Sequence, residues 1–228
     1  MAVHYANGKI VTDGLVLALN AADQNSYVSG STTWNDLSGN NNNGSFTNGH
    51  TYDSSSNGSI IFNNGSSQYL STTCSIEAAT SNNLQTFCSW LYGTSNNNSF
   101  FGSSASSGGQ FHLILTFTSG QLQLGNSYFG GIGGESVINV VVSANSTWNY
   151  GCVVKTAAQT FDVYFNGSKV ITGATRLANN SSTFNLGRWW NTAYVPARIA
   201  NVQVYNRALS AQEVLQNYNA QKSRFGLT

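Results

Sequence analysis

The stretch that decides the fold is residues 160–171, which read TFDVYFNGSKVI. Every second residue from 161 to 165 is aromatic or β-branched, which is the period of a strand with one buried face. Asn166 and Gly167 then stand where a two-residue turn needs a left-handed backbone, and apolar residues resume after them. The stretch therefore predicts an antiparallel β-hairpin, with Asp162 on the solvent side of its first strand.

Similar short runs, separated by turn residues, recur along the whole chain. They are residues 15–19, 59–62, 68–70, 86–92, 110–117, 121–124, 137–142, 150–155, 183–187 and 198–205. Many short strands at near-regular spacing predict an all-β fold, an antiparallel two-sheet β-sandwich. The 228 residues suffice for one large β-domain, and no linker divides them. We expect an N-terminal arm of residues 1–13 and a single domain of residues 14–228.

One short helix is expected near the C-terminus, over residues 210–222. Ser210 and Glu213 have the spacing of a capping box, in which each side chain accepts a hydrogen bond from a free backbone N–H at the helix start. Leu209 and Val214 stand where a hydrophobic staple would pack. We expect this helix to cover a sheet edge or one end of the sandwich.

Composition excludes several classes of function. Charged residues make up 7% of the chain and the formal net charge is +1, so the basic surface of a nucleic-acid-binding protein is missing. No run of about 18 apolar residues is present, and we expect no membrane insertion. The N-terminus lacks the basic and apolar segments of a secretory signal, so we expect either synthesis without secretion or a sequence from which such a segment has been removed.

The three cysteines, Cys74, Cys88 and Cys152, are odd in number and have no CxxC spacing. This pattern argues against a disulfide framework or a zinc site. We expect buried thiols that pack as small apolar side chains. One disulfide with one free thiol stays open as the alternative.

Several stretches resemble the concanavalin A-like (laminin G-like) jelly-roll domains. They are GLVLALNAADQNSY and TTWNDLSGNNNNGSF near the N-terminus, SIIFNNGSSQYL, and RIANVQVYNRALSAQEVLQNYNAQKSRFGL at the C-terminus. The closest resemblance is to versions found in virion proteins of tailed bacteriophages. It implies a non-catalytic structural protein of the virion, a capsid decoration or a fibre component, made in the host cytoplasm. A capsid or fibre protein is then the expected partner, and a homo-oligomer or a multi-copy assembly the expected state.

A glycosidase of this fold needs two carboxylates, one as acid and one as nucleophile or base. The chain has eight acidic residues, which are Asp13, Asp23, Asp36, Asp53, Glu77, Glu135, Asp162 and Glu213. They show no paired strand pattern, and the histidines His4, His50 and His112 are scattered without a nucleophile motif. The glycine-rich residues 130–134 lack the strand–helix context of a phosphate loop. We therefore expect no enzyme.

A calcium ion is the one cofactor that the sequence leaves open. Asp36, with oxygens from Asn40 and Asn201, could supply part of a site that needs six to eight oxygen ligands. The resemblance weakens this expectation, because the acidic residues that the family has after Phe62 and after Ile199 are replaced here by Asn63 and by Ala200 and Asn201. In the other interpretation, Asp36 caps its own turn.

Aromatic residues suggest a sugar-binding surface. Trp90 and Trp148 lie in apolar strands and are expected in the core, whereas GRWWNTAY, residues 187–194, reads as a polar loop. Arg188, Trp189, Trp190 and Tyr194 together offer aromatic faces and polar groups suited to a sugar ring. Host-surface polysaccharide would be the ligand, and loop packing or a subunit interface is the alternative.

Two overall readings therefore remain. In the first, the chain is a virion protein that attaches to the particle through the arm near His4 and Tyr5, and binds glycan elsewhere. In the second, it is a stand-alone extracellular carbohydrate-binding module or adhesin.

Overall fold

The structure is a computed structural model. It describes residues 4–5, 8–55, 58–77, 81–92, 99–104, 114–118, 121–125, 138–141, 147–175, 182–190, 193–194 and 196–228. For residues 4–5, 99–104, 114–118, 121–125, 138–141, 182, 189, 190 and 193 it describes the backbone alone.

Two antiparallel sheets, each of eight strands in the described part of the chain, form the body and confirm the predicted sandwich. The first sheet contains β4 (Thr33–Trp34), β5 (Gly44–Thr47), β8 (Tyr69–Ile76), β10 (Ser99–Ser104), β11 (Ile114–Thr118), β12 (Gln121–Gly125), β13 (Ile138–Val141) and β17 (Ser182–Leu186). Their spatial order is β13-β12-β11-β10-β17-β8-β5-β4.

The second sheet contains β3 (Leu15–Asn20), β6 (Thr51–Asp53), β7 (Ser59–Phe62), β9 (Thr86–Tyr92), β14 (Trp148–Ala157), β15 (Thr160–Phe165), β16 (Ser168–Thr175) and β20 (Ala197–Tyr205). Its order begins β16-β15-β14-β9-β20. The other edge of β20 pairs with two strands, β7 and β3. Residues 197–199 pair with β7, which is followed by β6, and residues 201–205 pair with β3.

Smaller elements complete the described chain. They are the hairpin of β1 (His4–Tyr5) and β2 (Gly8–Lys9), the hairpin of β18 (Arg188–Trp190) and β19 (Ala193–Tyr194), the helix α1 (Ala211–Gln221), and 3-10 turns at Asn64–Ser66 and Lys222–Phe225. The structure describes no helix with the length and apolar character that crossing a membrane requires.

The predicted hairpin forms between β15 and β16. Asn166 and Gly167 have φ values of 48° and 81°, the left-handed conformation that the turn requires. The expectation that Asp162 faces solvent is wrong, because the residue is only 7% exposed. Its carboxylate accepts a hydrogen bond from Lys169 Nζ at 2.6 Å and another from the backbone of Gly173 at 2.9 Å.

The main core lies between the sheets and draws on both. The second sheet contributes buried residues such as Leu17, Phe87 and Val153, and the first contributes Trp34 and Phe184. The centroids of the Phe87 and Phe184 rings lie 6.2 Å apart, and the rings are nearly parallel.

The C-terminal helix covers the outer face of the second sheet, which corrects the expected position at an edge or end. Val214 of the helix belongs to one buried cluster with Trp90, Trp148 and Tyr150 of the central strands. Both faces of these strands are therefore buried, and Trp90 and Trp148 are core residues as predicted. The Ser210 capping box is confirmed as well.

Part of the segment assigned to the N-terminal arm is packed into the domain. Ile10 and Val11 are buried beside the helix. The backbone N–H of Val11 donates to Asn217 Oδ1 at 2.8 Å, and its carbonyl accepts from Tyr205 Oη at 3.0 Å. A role in particle attachment stays a prediction for this arm, and a deletion that tests it has to end before Ile10.

All three cysteines are buried free thiols, which confirms the first of the two expectations. Burial raises the pKa of Cys74 to about 12, and burial also raises the pKa of Cys152. Cys88 and Cys152 are register partners on β9 and β14. Their thiols lie beneath the helix, so they contribute to packing.

Candidate functional site

Two surface segments were candidates for ligand binding, and residues 34–44 form the first. Asp36 is its centre, because each carboxylate oxygen accepts two hydrogen bonds. Oδ1 accepts from the backbone N–H of Ala18 at 2.8 Å and of Ser38 at 2.9 Å. Oδ2 accepts from Ser38 Oγ at 2.8 Å and from the backbone N–H of Asn42 at 3.0 Å. The bond to Ser38 N is the expected Asx turn.

The asparagines of this segment bind to the edge of β3 that faces away from β20. Asn40 Nδ2 donates to the carbonyl of Leu15 at 3.2 Å, and Asn42 Nδ2 donates to that of Val16 at 2.8 Å. The backbone N–H of Leu37 donates to the carbonyl of Ala18 at 2.9 Å. A strand edge with unpaired backbone groups invites pairing with other chains. Residues 34–44 occupy these groups, and we call them the edge-cap loop.

Of the three residues proposed to hold calcium, Asp36 and Asn40 lie together in the loop, whereas Asn201 lies in the interior. Asp36 and Asn40 share the edge-cap loop and both bond to Ser38. Asn201 is buried, where its Oδ1 accepts from the backbone of Trp90 at 3.3 Å and its Nδ2 donates to Gln221. The described residues contain no cluster of three or more His, Cys, Asp or Glu that could hold a metal. Calcium at these residues stays a prediction. Its binding would compete with the four hydrogen bonds that Asp36 accepts, so the Asx turn is the alternative that we expect.

Arg188, Trp189, Trp190 and Tyr194 belong to the second segment, which is a strand hairpin rather than the loop that the sequence suggested. Gly187 directs the chain out of the first sheet with a φ of 75°. A Cβ at Gly187 would lie 2.9 Å from the ring of Phe62 and 3.0 Å from the carbonyl of Gln68. Strand β18 then packs against β10 before the chain enters the second sheet through β19 and β20.

The hairpin brings three partly exposed side chains together on the surface. The guanidinium carbon of Arg188 lies 3.8 Å from the centroid of the Tyr69 ring. The ring centroids of Tyr69 and Tyr194 are 6.0 Å apart at an angle of 37°. Arg188 and Tyr194 are also register partners in the hairpin. We call Tyr69, Arg188 and Tyr194 the Tyr69 platform.

The predicted site included two tryptophans of the hairpin and did not include Tyr69. The side chains of Trp189 and Trp190 lie outside the described part of the structure, and their place in the site stays a prediction. Tyr69 was missed, because a tyrosine at the start of an alternating strand looks like an ordinary strand residue. Its position before Leu70, which is buried, was the available signal that its own side chain faces the other way.

Neutral polar loops border the Tyr69 platform. The loop that precedes Tyr69 begins at Asn63, whose Oδ1 accepts from the backbone of Gly65 at 2.9 Å. Asn48 from the neighbouring loop donates through Nδ2 to the carbonyl of Ser67 at 3.0 Å. Asn63 and Asn48 are exposed. The surface thus combines two aromatic rings, one cation and several amides, which is the chemistry for holding a sugar.

Four of the described carboxylates are held by cations. Asp53 pairs with Arg198, Asp162 with Lys169, and both Asp13 and Glu213 pair with Arg207. Hydrogen bonds from Arg207 lower the pKa of Glu213 to about 2, and hydrogen bonds from Ser55 lower the pKa of Asp53. A glycosidase acid requires the opposite shift, a raised pKa. Neither Glu213 nor Asp53 suits that role, and Glu135 lies outside the described residues.

The family of the chain follows from a comparison with family models. The model described as the concanavalin A-like lectin/glucanases superfamily (Laminin_G_3) matches residues 63–215. The chain belongs to this family. The resemblance at the level of superfamily is thereby confirmed. No curated protein matches the chain.

Solved structures share the fold at low sequence identity. The binding domain of Paraclostridial Mosquitocidal Protein 1 is 17% identical with a TM-score of 0.65, over 92% of this chain and 52% of that one. The botulinum neurotoxin serotype D binding domain is 12% identical with a TM-score of 0.68, over 92% and 53%. Trypanosoma rangeli sialidase is 14% identical with a TM-score of 0.66, over 95% and 34%. The chain thus spans about half the length of the toxin domains, and the similarity establishes the fold alone.

Proposed function

We propose that this chain is a non-catalytic, glycan-binding domain of a bacteriophage virion, and that the Tyr69 platform holds the glycan. The observation that carries the proposal is the surface cluster of Tyr69, Arg188 and Tyr194. Aromatic faces stack on the apolar face of a sugar ring, and amides and a guanidinium donate to its hydroxyls. Trp189 and Trp190, on the same hairpin, extend the proposed site.

Similar structures support a binding role. They include the binding domain of a botulinum neurotoxin in complex with SialylT, and a neurotoxin type C whose cell entry depends on two ganglioside molecules. A sialidase shares the fold as well. The ion-paired carboxylates of the present chain favour binding over hydrolysis, because a retaining or inverting glycosidase needs two carboxylates that are available to the substrate.

The virion context rests on the resemblance of the N-terminal and C-terminal stretches to phage virion proteins. A domain carried in many copies on a particle would gain avidity from weak individual sites. Capsid or fibre proteins are the proposed partners, and host-surface polysaccharide is the proposed ligand. The alternative is an extracellular binding module or adhesin, which the similarity to toxin binding domains favours.

A glycan array tests the binding proposal. We expect the purified wild-type chain to bind a subset of bacterial polysaccharides, and Tyr194→Ala to lose that binding while keeping the wild-type unfolding temperature. Asn219→Ala, at an exposed position of the helix, is the matched control and should bind like wild type. An array on which wild type binds nothing would overturn the proposal, as would turnover of a polysaccharide.

Two measurements separate the virion protein from the adhesin. Immunogold labelling of purified phage particles from the source population should decorate virions, and the coding sequence should lie among capsid, portal or tail genes. Deletion of residues 1–7 should abolish attachment to particles, because it removes the proposed attachment arm. The domain should still fold, since Ile10 and Val11 stay in the core. The double variant Trp189→Ala/Trp190→Ala should still attach. The reverse result would make the hairpin the assembly interface, and label confined to cell surfaces would favour the adhesin.

A further inference from the structure

We infer that His50 is a pH-sensitive switch of the Tyr69 platform: protonation of its ring opens the turn of residues 48–50 and weakens glycan binding in mild acid. This regulation rests on the proposed function of the same surface. Three features carry it: the uncharged enclosure of the His50 ring, a buried ring nitrogen without a partner, and the contacts that join the turn to the platform.

The His50 ring lies in an aromatic enclosure. It stacks on Phe46 of β5 with ring centroids 3.6 Å apart, and it meets the Tyr27 ring edge-on with centroids 5.5 Å apart. Its Nε2 lies 2.5 Å from Tyr27 Oη. Tyr52 of β6 packs on Tyr27 in turn, with centroids 5.3 Å apart. The enclosure is therefore built from β5, from β6 and from the segment after β3.

In the described part of the chain, no charged side chain pairs with the His50 ring. The titratable groups of the enclosure are the hydroxyls of Tyr27 and Tyr52. Burial raises the pKa of Tyr27, so its hydroxyl stays neutral in acid. The nearest acidic residue in the sequence, Asp53, pairs with Arg198 at 2.6 Å. A proton on His50 would add an isolated charge to an apolar site, and burial lowers the pKa of His50 for this reason.

The second nitrogen of the ring is buried without a partner in the described structure. Nδ1 of His50 makes no hydrogen bond, whereas Nε2 meets Tyr27. A neutral imidazole carries one N–H and one acceptor nitrogen, but a protonated ring carries N–H groups on both. Protonation therefore leaves a buried donor unpaired, which costs free energy until the ring reaches water. Because His50 is only half-buried, a small displacement of the 48–50 turn exposes it.

The 48–50 turn joins this enclosure to the Tyr69 platform. It connects β5 of the first sheet to β6 of the second. Asn48 Nδ2 donates to the carbonyl of Ser67, two residues before Tyr69. Thr47, the last residue of β5, is the register partner of Tyr69. Displacement of the turn therefore removes contacts that position the start of β8, where Tyr69 stands.

Histidine titration and hydrogen exchange test the turn itself. Ring-proton NMR of the full chain follows the three histidines from pH 7.5 to pH 5, and His50→Gln identifies the resonance of His50. We expect this resonance to titrate below the ordinary value of 6.5. The backbone amides of residues 48–50 should exchange faster in acid than their intrinsic rates predict, and this extra exchange should be missing in His50→Gln. His4→Gln, in the N-terminal hairpin, is the matched control and should keep it.

The glycan array, probed at pH 7.5 and at pH 5, tests the effect on binding. We expect wild type to bind its glycans at least about threefold more weakly at pH 5, since the apparent affinity falls with the fraction of competent protein. Binding by His50→Gln should change much less between these values. Asn48→Gly keeps the left-handed backbone, since Asn48 has a φ of 58°, and removes the hydrogen bond to Ser67. It should weaken binding at pH 7.5 and reduce the further loss at pH 5.

The outcomes separate this inference from the proposed function. If wild type binds equally at both pH values, or if His50→Gln loses as much binding at pH 5 as wild type does, the glycan site stands and the pH switch is wrong. If wild type binds no glycan at either pH, the proposed function fails. Hydrogen exchange then still decides whether His50 opens the turn, and equal exchange in wild type and His50→Gln would overturn the inference.

Discussion

The edge-cap loop and the Tyr69 platform are both surface segments rich in polar residues, yet they use those residues in opposite ways. In the loop, Asp36 and the amides of Asn40 and Asn42 are bonded to the backbone of β3 and of the loop itself. In the platform, side chains from β8 and from the hairpin stack on one another at a partly exposed surface.

The difference shows that polarity by itself does not mark a ligand site. A polar side chain is available to a ligand only when the backbone around it has satisfied its own hydrogen bonds. The polar groups of the edge-cap loop are used in this way. One edge of β3 pairs with β20, and the other edge of β3 is bonded to the loop.

The largest effect is expected for Asp36→Ala. It leaves three backbone N–H groups and one hydroxyl without their acceptor, and we expect a loss of about 2–4 kcal/mol in the free energy of unfolding. Denaturant unfolding measures this loss. Asp23→Ala is the control, because the carboxylate of Asp23 accepts from the backbone N–H and the side-chain amide of Asn25 at an exposed turn, and its loss should cost much less. Equal losses in the two variants would contradict the role of Asp36 as the centre of the edge cap.

Gly44→Ala, at the end of the same loop, should come next. A Cβ at Gly44 would lie 2.5 Å from Cδ2 of Leu70, which is fully buried. Overpacking of this kind costs about 1–3 kcal/mol. Gly65→Ala is a suitable comparison, since its nearest contact would be the Asn63 side chain at 3.3 Å. Glycan binding should survive Gly44→Ala in the fraction that remains folded, and its loss would show that the two regions are coupled.

A smaller, pH-dependent effect is expected at the aromatic cluster that contains Trp34 of the loop. His50 stacks on Phe46 with centroids 3.6 Å apart, and its Nε2 lies 2.5 Å from Tyr27 Oη. Burial lowers the pKa of His50 from its ordinary value of 6.5. The unfolded chain therefore binds this proton more readily than the folded chain. Stability from His50 is complete above pH 6.5 and is lost as the pH falls through the lowered pKa.

Thermal unfolding of wild type and His50→Gln between pH 7.5 and pH 5 measures this contribution. The wild-type unfolding temperature should fall more steeply than that of the variant over this interval. Parallel curves for the two proteins would show that His50 does not titrate differently in the folded and unfolded states.

Calcium should have the smallest effect. A ligand that binds only the native state stabilises it by mass action, but the oxygens of Asp36 already accept four hydrogen bonds. We expect the unfolding temperature to be the same in calcium and in chelator. A chelator-induced decrease that disappears in Asp36→Asn would show instead that the loop exchanges those bonds for a metal.

Much of the fold was predictable from local signals. Asn166 and Gly167 fix a tight turn, and Ser210 with Glu213 fixes a helix start, because each depends on residues close in sequence. The continuous apolar character of β9 and β14 also carried a signal, since strands buried on both faces read this way. It indicates that other elements pack on both faces of the second sheet. It would have placed the helix on the outer face of that sheet.

The remaining features depend on contacts between distant residues. Strands of two to four residues, such as β4 and β19, are too short to show a period. The edge cap joins Asn42 to Val16, 26 positions apart, through an amide that suits any loop equally well. Asp162 looked exposed by alternation, but Lys169 across the hairpin covers it. Tyr69 joins the platform through Arg188 and Tyr194, which lie far from it in the sequence.

The most direct measurement compares one variant from each region on the same glycan array. Tyr194→Ala removes a ring from the platform. Asn41→Gly removes an exposed amide from the edge-cap loop and keeps the left-handed backbone, since Asn41 has a φ of 58°. The account predicts that Tyr194→Ala loses glycan binding and that Asn41→Gly retains the wild-type pattern. Retained binding in Tyr194→Ala together with lost binding in Asn41→Gly would contradict it and assign the site to the asparagine loop.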